Sequence, residues 1–232
     1  MAKDQLPQKK MPKDNRPSVR QRRQANRQRR DWLTTSLVGV VAVIVGALLL
    51  WPRPPAKPVD AARLANDPSL GPATAAVTII EYGDFGCPSC RAWHQAGILD
   101  QIRAKYGDRV RFVWRDFPVI TPQSPKAAEA GQCAYDQGKF WEYHDALFAH
   151  APALSVSDLK AYAAEVGLDT ARFNQCLDSS QHKATVDHDL QDAFARGFRG
   201  TPSFLVNNQP LAGPPSLEYL QTLIDPLLAS GG

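Results

Sequence analysis

Two cysteines separated by two residues constrain the fold of this 232-residue chain more than any other feature. Cys87-Pro-Ser-Cys90 directly follows residues 76–85, whose β-branched and aromatic sequence AVTIIEYGDF is typical of a buried strand. After the cysteines, apolar residues recur at helical spacing as far as Gly107, which predicts one helix with Ala92, Ala96, Leu99, Ile102 and Tyr106 on its buried face. The sequence therefore predicts a strand that ends at the two thiols and a helix that begins there.

This placement has chemical consequences for the two thiols. A thiolate at a helix N-terminus meets unpaired backbone N–H groups and the positive end of the helix dipole, which lowers its pKa. Pro88 suits the first helical turn because its missing N–H is not needed there. We expect Cys87 to be exposed and reactive, and Cys90 to be buried and able to close a disulfide with it.

The cysteine pair has two other interpretations. Half of a zinc site would need two more ligands at similar spacing, whereas Cys133 and Cys176 stand singly in the sequence. A purely structural disulfide is the second alternative. A Cys-x-x-Cys between a strand and a helix favours redox chemistry over both, so no metal and no cofactor are expected.

The rest of the folded part predicts an α/β architecture. Residues 109–117 alternate, with Val110, Phe112 and Trp114 on one face and arginines 109, 111 and 115 on the other, which predicts a second strand parallel to the first. An all-helical stretch, about residues 120–198, follows. Strand residues return at 203–206, with a turn at Asn207-Asn208 into a short hairpin strand and a final helix from 216 to about 229. The helical stretch thus separates a βαβ half from a ββα half.

The N-terminal residues predict a membrane anchor. Residues 1–31 contain eleven Lys or Arg against three Asp, whereas the whole chain has a net charge of only +4. The basicity therefore belongs to a tail (1–32), which we interpret as disordered and cytoplasmic, with no nucleic-acid partner. The next 19 residues, 33–51, carry no charge and match the thickness of a bilayer. A cleaved signal peptide is the alternative, but its apolar region is usually shorter.

The segment after this apolar run predicts a spacer and then one domain. Residues 52–72 contain six prolines and are expected to form an extended linker. The folded domain is expected over 73–230. Because basic residues stay on the cytoplasmic side, the domain is expected outside the cytoplasm, at the cell membrane and anchored by a single span.

Two motifs carry a resemblance to a known family. Phe85-Gly-Cys-Pro-Ser-Cys90 after a strand, and Gly200-Thr-Pro-Ser-Phe204 entering a later strand, resemble the DsbA-like thiol–disulfide oxidoreductases. The resemblance covers about residues 73–230. It implies a thioredoxin-like fold with an inserted helical subdomain, which agrees with the layout read from the residues.

The resemblance also implies roles for individual residues. Thr201 and Pro202 match a cis-proline loop that lies against the active-site cysteines and binds substrate backbone; a simple strand-entry turn is the alternative. Pro88 and Ser89, between the two cysteines, are also expected to bind substrate. Glu81 matches a buried acid that moves protons to or from the second cysteine, a role that suits a carboxyl with a raised pKa. A surface glutamate is the alternative there. Ser89 departs from the strongest oxidants of the family, which have a histidine at this position.

Cys133 and Cys176 lie on different predicted helices of the insertion. In an oxidising compartment we expect a structural disulfide between them. Two buried free cysteines that behave as small apolar residues are the alternative.

Together these features predict an enzyme that introduces disulfides into exported proteins through Cys87 and Cys90. Its expected partners are cysteine-containing exported proteins and a membrane redox partner that reoxidises or reduces the site. A reductase or isomerase using the same site is one alternative. A non-enzymatic thiol metallochaperone or assembly factor is another, although the only methionines, Met1 and Met11, lie in the tail.

Overall fold

The strand that precedes the cysteines lies at the centre of a mixed sheet. In the computed structural model, which describes Val59 and residues 61–230, the strand order is β1-β3-β2-β4-β5. The central strands β2 and β3 are parallel, and the other neighbouring pairs are antiparallel. The strands are β1 (Ser69–Leu70), β2 (Val77–Gly83), β3 (Val110–Asp116), β4 (Ser203–Val206) and β5 (Gln209–Ala212).

Helices cover both faces of this sheet. The helices are α1 (Ala61–Leu64), α2 (Pro88–Gln95), α3 (Ile98–Tyr106), α4 (Ser124–Tyr135), α5 (Phe140–His150), α6 (Val156–Glu165), α7 (Thr170–Asp178), α8 (Lys183–Ala195) and α9 (Leu217–Ser230). Side chains of α2, α3 and α9 share one core with alternate residues of the strands. Residues of α1 and α8 share a second core on the opposite face.

The insertion predicted over about residues 120–198 contains helices α4 to α8, of which α8 packs against the sheet and α4 to α7 form a subdomain of their own. Their apolar side chains build a separate core that also contains Phe85, Cys90 and Trp114. The helical subdomain therefore packs directly against the end of β2 and the start of α2, where the two thiols lie. A thioredoxin-like α/β fold with a helical insertion is confirmed.

The helix predicted after the cysteines is in fact two helices. It breaks at Gly97, whose φ of +64° belongs to the left-handed region that glycine adopts readily. The Gly97 N–H bonds the carbonyl of His94 at 2.9 Å and closes α2, and α3 then begins at Ile98. The apolar spacing continues across the break because both helices pack on the same core.

The arginine face of β3 is buried, although it is the polar face of the strand. Arg111 and Arg115 are 6% and 2% exposed. Arg115 bonds Asp67 at 2.8 Å and Asp192 at 2.9 Å, and Arg111 donates to the carbonyl of Leu64 at 2.8 Å. The face is covered because segments from before β2 and from α8 pack over it and supply the acceptors.

The linker predicted over 52–72 is wrong in its second half. Residues 61–64 are helical, Asp67 is buried, and Ser69 and Leu70 pair with Val113 and Phe112 of β3. These contacts place the segment within the domain, which begins before residue 73. Proline content misled the prediction because prolines also flank a short edge strand.

The predicted tail (1–32) and the predicted anchor (33–51) lie outside the described residues. Within Val59 and 61–230, none of the helices is long and apolar enough to cross a membrane.

Candidate active site

Cys87 and Cys90 occupy the first turn of α2, and both thiols are free. Cys87 is the N-cap residue in extended conformation, and its sulfur accepts the backbone N–H of Cys90 at 3.4 Å. Pro88 is the first residue of the helix, as predicted. The chain turns sharply before the helix, where the Cys87 N–H bonds the Asp84 carbonyl at 3.0 Å.

Cys87 is more covered than the sequence predicted. It is 4% exposed and Cys90 is 0% exposed. Its sulfur lies 3.3 Å from the carbonyl oxygen of Thr201. Ala151 and Pro152 of the insertion lie on the other side of a groove that Cys87 also lines. Sequence reasoning placed Cys87 at an open helix end, whereas two segments distant in sequence converge on it.

The pKa values of the two thiols are shifted in opposite directions. Hydrogen bonding lowers the pKa of Cys87 from 9.0 to about 6, chiefly through the Cys90 thiol. Burial opposes this effect, whereas Thr201 and then the backbone N–H groups of Cys90 and Ser89 lower the pKa further. Burial raises the pKa of Cys90, and the neighbouring Cys87 and Glu81 raise it further. At neutral pH the reduced pair therefore holds a Cys87 thiolate and a Cys90 thiol.

Glu81 is buried rather than at the surface. It is 3% exposed in the middle of β2, paired with Trp114 of β3 and Phe204 of β4. Burial raises its pKa from 4.5 to about 8, and the Cys87 charge adds to the shift. Glu81 interacts electrostatically with both cysteines, and a carboxyl that is protonated near neutrality can exchange a proton.

Thr201 and Pro202 stand immediately before β4, with a cis peptide bond between them. The Thr201 carbonyl is the group that meets the Cys87 sulfur. Pro202 is buried, and its carbonyl accepts the N–H of Gly213 at 3.0 Å. The structure thus brings the second sequence motif to the first.

Asp84 is a site residue that the sequence analysis missed. Its buried carboxylate accepts the N–H groups of Gly86 at 2.7 Å, and of Val119 and Ile120 at 2.8 Å each. It ties the turn before Cys87 to the loop after β3. An aspartate two residues before a glycine is a turn signal that could have identified its local bond, but not the bonds to the loop.

A groove of about 300 Å³ opens beside Cys87. Pro88 is the one predicted substrate-binding residue that lines this groove. Ser89, Thr201 and Pro202 do not line it, and Ser89 is half-buried. The spacing of Cys87, Arg91 and Gln95 on one helix face could have suggested part of this lining. No sequence pattern predicted that Ala151 and Pro152 form the opposite wall of the groove. The groove is lined by Gly86, Cys87, Pro88, Arg91, Ala92, Gln95, Ala151 and Pro152.

The wall contributed by the insertion is fixed to α2. Arg91 donates from Nη1 to the carbonyl of Ala151 at 2.6 Å, across the groove. The end of α5 is thereby held next to the cysteines. The insertion acts as one side of the site as well as a separate packing unit.

Cys133 of α4 and Cys176 of α7 are joined by a disulfide, with Cα atoms 5.9 Å apart. Both are buried within the core of the insertion. The bond closes a loop with a sequence separation of 43 residues, which stabilises the folded chain by about 4 kcal/mol in the chain-entropy model.

His144, on α5, is a buried titratable group near the site. Its ring makes edge contacts with Phe85 and Trp114, with centroids 5.7 and 4.9 Å away. Burial lowers its pKa from 6.5 to about 4, against the effect of a hydrogen bond with Asp145. It is therefore uncharged at neutral pH.

The comparisons with known proteins agree with this geometry. The family model described as thioredoxin matches residues 64–226. The chain belongs to the thioredoxin family. This thioredoxin-family chain is 31% identical to a thioredoxin-like oxidoreductase from Silicibacter pomeroyi, with a TM-score of 0.63, over 71% of this chain and 93% of that one.

A second solved structure shares the fold. BdbD from Bacillus subtilis matches with a TM-score of 0.66 and 23% identity, over 72% of this chain and 95% of that one. The resemblance to DsbA-like thiol–disulfide oxidoreductases is confirmed, and the chain is a thioredoxin-family enzyme of this type.

Curated relatives carry the thioredoxin-family region within longer proteins. A Na(+)/H(+) antiporter NhaA 3 from Salinispora tropica is 37% identical over 175 residues, which is 75% of this chain and 26% of that protein. The chain thus spans about a quarter of the length of the curated relatives that it matches.

Proposed function

We propose that this enzyme is a membrane-anchored, extracytoplasmic oxidase that introduces disulfides into exported proteins through Cys87 and Cys90. The observation that carries the proposal is the Cys87 sulfur at the N-cap of α2, with its pKa lowered to about 6. A stabilised thiolate favours the reduced form of the pair. The oxidised pair is then a strong acceptor of electrons from substrate thiols.

The first step of the reaction is attack on the disulfide. A substrate thiolate attacks the Cys87 sulfur of the Cys87–Cys90 disulfide, which forms a mixed disulfide and releases Cys90. Burial makes the Cys90 thiolate unstable, so it needs a proton as it leaves. Glu81 is the group that supplies it, because burial, the main cause of its raised pKa, keeps this carboxyl protonated.

The second step resolves the mixed disulfide. A second substrate thiolate attacks the substrate sulfur, and Cys87 leaves as a thiolate that the backbone N–H of Cys90 stabilises. A thiol of low pKa leaves faster than an ordinary one. Two electrons have then moved from the substrate dithiol to the Cys87–Cys90 pair, which a membrane redox partner must reoxidise.

The substrate is expected to lie between the Thr201–Pro202 loop and the groove beside Cys87. The loop places backbone groups against the sulfur, and the groove offers the apolar surfaces of Pro88, Ala92 and Pro152. Backbone contacts are largely independent of side-chain identity. This arrangement suits an enzyme that acts on many unfolded or partly folded exported chains.

The membrane part of the proposal is supported by the sequence of the N-terminal residues. A basic segment (1–32) followed by an uncharged run (33–51) favours a single span with the tail in the cytoplasm. Externally added protease should digest the domain in spheroplasts and leave the tail intact. A domain that becomes accessible only after lysis would contradict this orientation.

The direction of the reaction is tested by the reduction potential of the Cys87–Cys90 pair, measured against glutathione buffers. We expect a value well above the roughly −270 mV of thioredoxin. We also expect the oxidised enzyme to form disulfides in a reduced, unfolded substrate protein in stoichiometric amounts. A potential as low as that of thioredoxin, together with a Cys87 pKa near that of an ordinary thiol, would instead indicate a reductase.

A further inference from the structure

Three potential metal ligands meet between the active-site helix and the insertion. His94 lies on α2, and His144 and Asp145 lie on α5. The Asp145 Oδ1 atom is 2.9 Å from Nδ1 of His144 and 3.4 Å from Nε2 of His94. One donor atom from each residue lies within 4.8 Å of the others. None of these residues has a role in the thiol exchange described above.

The two separations that involve Asp145 are compatible with a coordination sphere. Zinc bonds nitrogen at about 2.0–2.1 Å and oxygen at about 2.0–2.2 Å, so two ligands of a tetrahedral ion lie about 3.3 Å apart. The two measured separations fall on either side of this value. Two imidazoles and a carboxylate suit zinc and neighbouring transition-metal ions, whereas calcium and magnesium prefer oxygen ligands.

The surroundings prepare the ligands for a metal ion. His144 is 2% exposed and packs among the rings of Phe85, Trp114 and Phe148, an apolar shell that favours the uncharged imidazole that metals bind. Rigid packing also fixes the direction of this ring. A metal ligand held by its neighbours loses little conformational freedom on binding.

The other two ligands face solvent and allow an ion to enter. The side chains of His94 and Asp145 are 27% and 61% exposed, and both line a cavity of about 170 Å³. This cavity has room for water in an open coordination position. The charged groups that share it, Asp100 and Arg103, have opposite signs and lie 3.9 Å apart, so they offset each other.

We propose that His94, His144 and Asp145 form a binding site for one transition-metal dication of the zinc type. A bound ion would bridge α2 to α5 and would fix the insertion to the helix that begins at Cys87. The site is independent of the thiol chemistry, because its ligands are imidazole and carboxylate groups that the disulfide exchange does not use.

The test is zinc titration by calorimetry of the full-length, untagged protein in detergent. The protein is kept oxidised, so that Cys87 and Cys90 cannot bind zinc as thiolates. We expect one zinc ion per chain, and at least tenfold weaker binding after His94→Ala and after Asp145→Asn. Both side chains are partly exposed, so these variants are expected to fold, which circular dichroism would check.

His150→Ala is the matched control. His150 is on the same helix, is 40% exposed and pairs with Glu165 at 3.0 Å, so it is another histidine beside a carboxylate. This variant should bind zinc as the wild type does. Copper(II) added in place of zinc should show two imidazole nitrogens in its electron paramagnetic resonance spectrum, and one after His94→Ala.

Several results would overturn the proposal. Binding no tighter than millimolar in the wild type would show that the cluster is a hydrogen-bonded group without an ion. Zinc affinity that survives both His94→Ala and Asp145→Asn, or that falls equally after His150→Ala, would place the binding elsewhere. His144→Gln should also weaken zinc binding at least tenfold. If this variant does not fold, His94→Ala and Asp145→Asn still decide the outcome.

Discussion

The backbone N–H of Cys90 points to the sulfur of Cys87 across 3.4 Å, so the second cysteine of the motif stabilises the thiolate of the first through the main chain. Burial meanwhile keeps the thiol of Cys90 itself protonated. Two cysteines three positions apart on one helix therefore have different acidities. Because of this difference, Cys87 is the cysteine that forms the mixed disulfide with the substrate, and Cys90 is the one that forms the active-site disulfide with Cys87.

The acidity of Cys87 should appear in alkylation rates. In the reduced enzyme, the rate of alkylation should rise with pH around a midpoint of about 6, because only the thiolate reacts. Cys90→Ala removes the largest contribution to the lowered pKa and should move the midpoint upward. The midpoint should stay below 9.0, since the backbone N–H groups remain. A wild-type midpoint near that of an ordinary thiol would contradict this account.

The roles of the two cysteines should separate in trapping experiments. Cys90→Ala cannot form the Cys87–Cys90 disulfide, but its Cys87 thiolate can still attack disulfides of substrate proteins. Without the Cys90 thiol, which would expel the substrate by re-forming the Cys87–Cys90 bond, these mixed disulfides should accumulate on non-reducing gels. Cys87→Ser should form no adducts and should have no exchange activity. Adducts that appear through Cys90 in the Cys87→Ser variant would reverse the assignment.

Glu81→Gln should alter both rate and stability as a function of pH. Glu81 has a pKa of about 8 in the folded chain and 4.5 as its ordinary value, so the wild type loses stability as pH rises from 4.5 to 8, by up to roughly 1.4 kcal/mol per pH unit. The variant lacks this loss and should become relatively more stable as pH rises through that range. Its exchange rate should fall, because Cys90 loses its proton donor and acceptor.

These two effects of Glu81→Gln are measured separately. The free energy of unfolding of the oxidised protein, wild type and variant, is compared at about pH 5 and about pH 8. Asp100→Asn, an exposed change on α3, is the control and should leave both the rate and the pH dependence unchanged. A stability difference between Glu81→Gln and wild type that does not vary with pH would show that Glu81 titrates normally.

Removal of the second disulfide should affect stability and not chemistry. The double variant Cys133→Ala and Cys176→Ala should lose up to about 4 kcal/mol of unfolding free energy, because the unfolded chain regains the freedom of the closed loop. Its reduction potential at Cys87 and Cys90 should match that of the wild type. A shift in that potential would show that the insertion disulfide controls the site.

Asp84→Ala should loosen the loop after β3. The change leaves the N–H groups of Gly86, Val119 and Ile120 without their acceptor, which should cost about 2–4 kcal/mol of stability. Hydrogen exchange at Val119 and Ile120 should accelerate more than exchange in α9. Unchanged protection at these two amides would mean that other groups hold the loop.

The sequence by itself determined the local elements and the chemistry of the cysteines. Strand β2, the start of α2 and the order of strands and helices followed from periodicity and from turn residues, because these are set by contacts within a few positions. The motif around Cys87 and the loop at Pro202 were recognisable one at a time. Even the pairing of Cys133 with Cys176 could be expected from the compartment.

Only the tertiary structure decided what surrounds these elements. The burial of Cys87, the covering of Arg115, the bonds from Asp84 to Val119 and the approach of His94 to His144 all join segments distant in sequence. Local periodicity records which face of an element is apolar, but not which segment packs on it. Packing of the insertion against the sheet and α2 therefore sets the groove and the burial of Cys90, and the sequence pattern holds no direct signal for it.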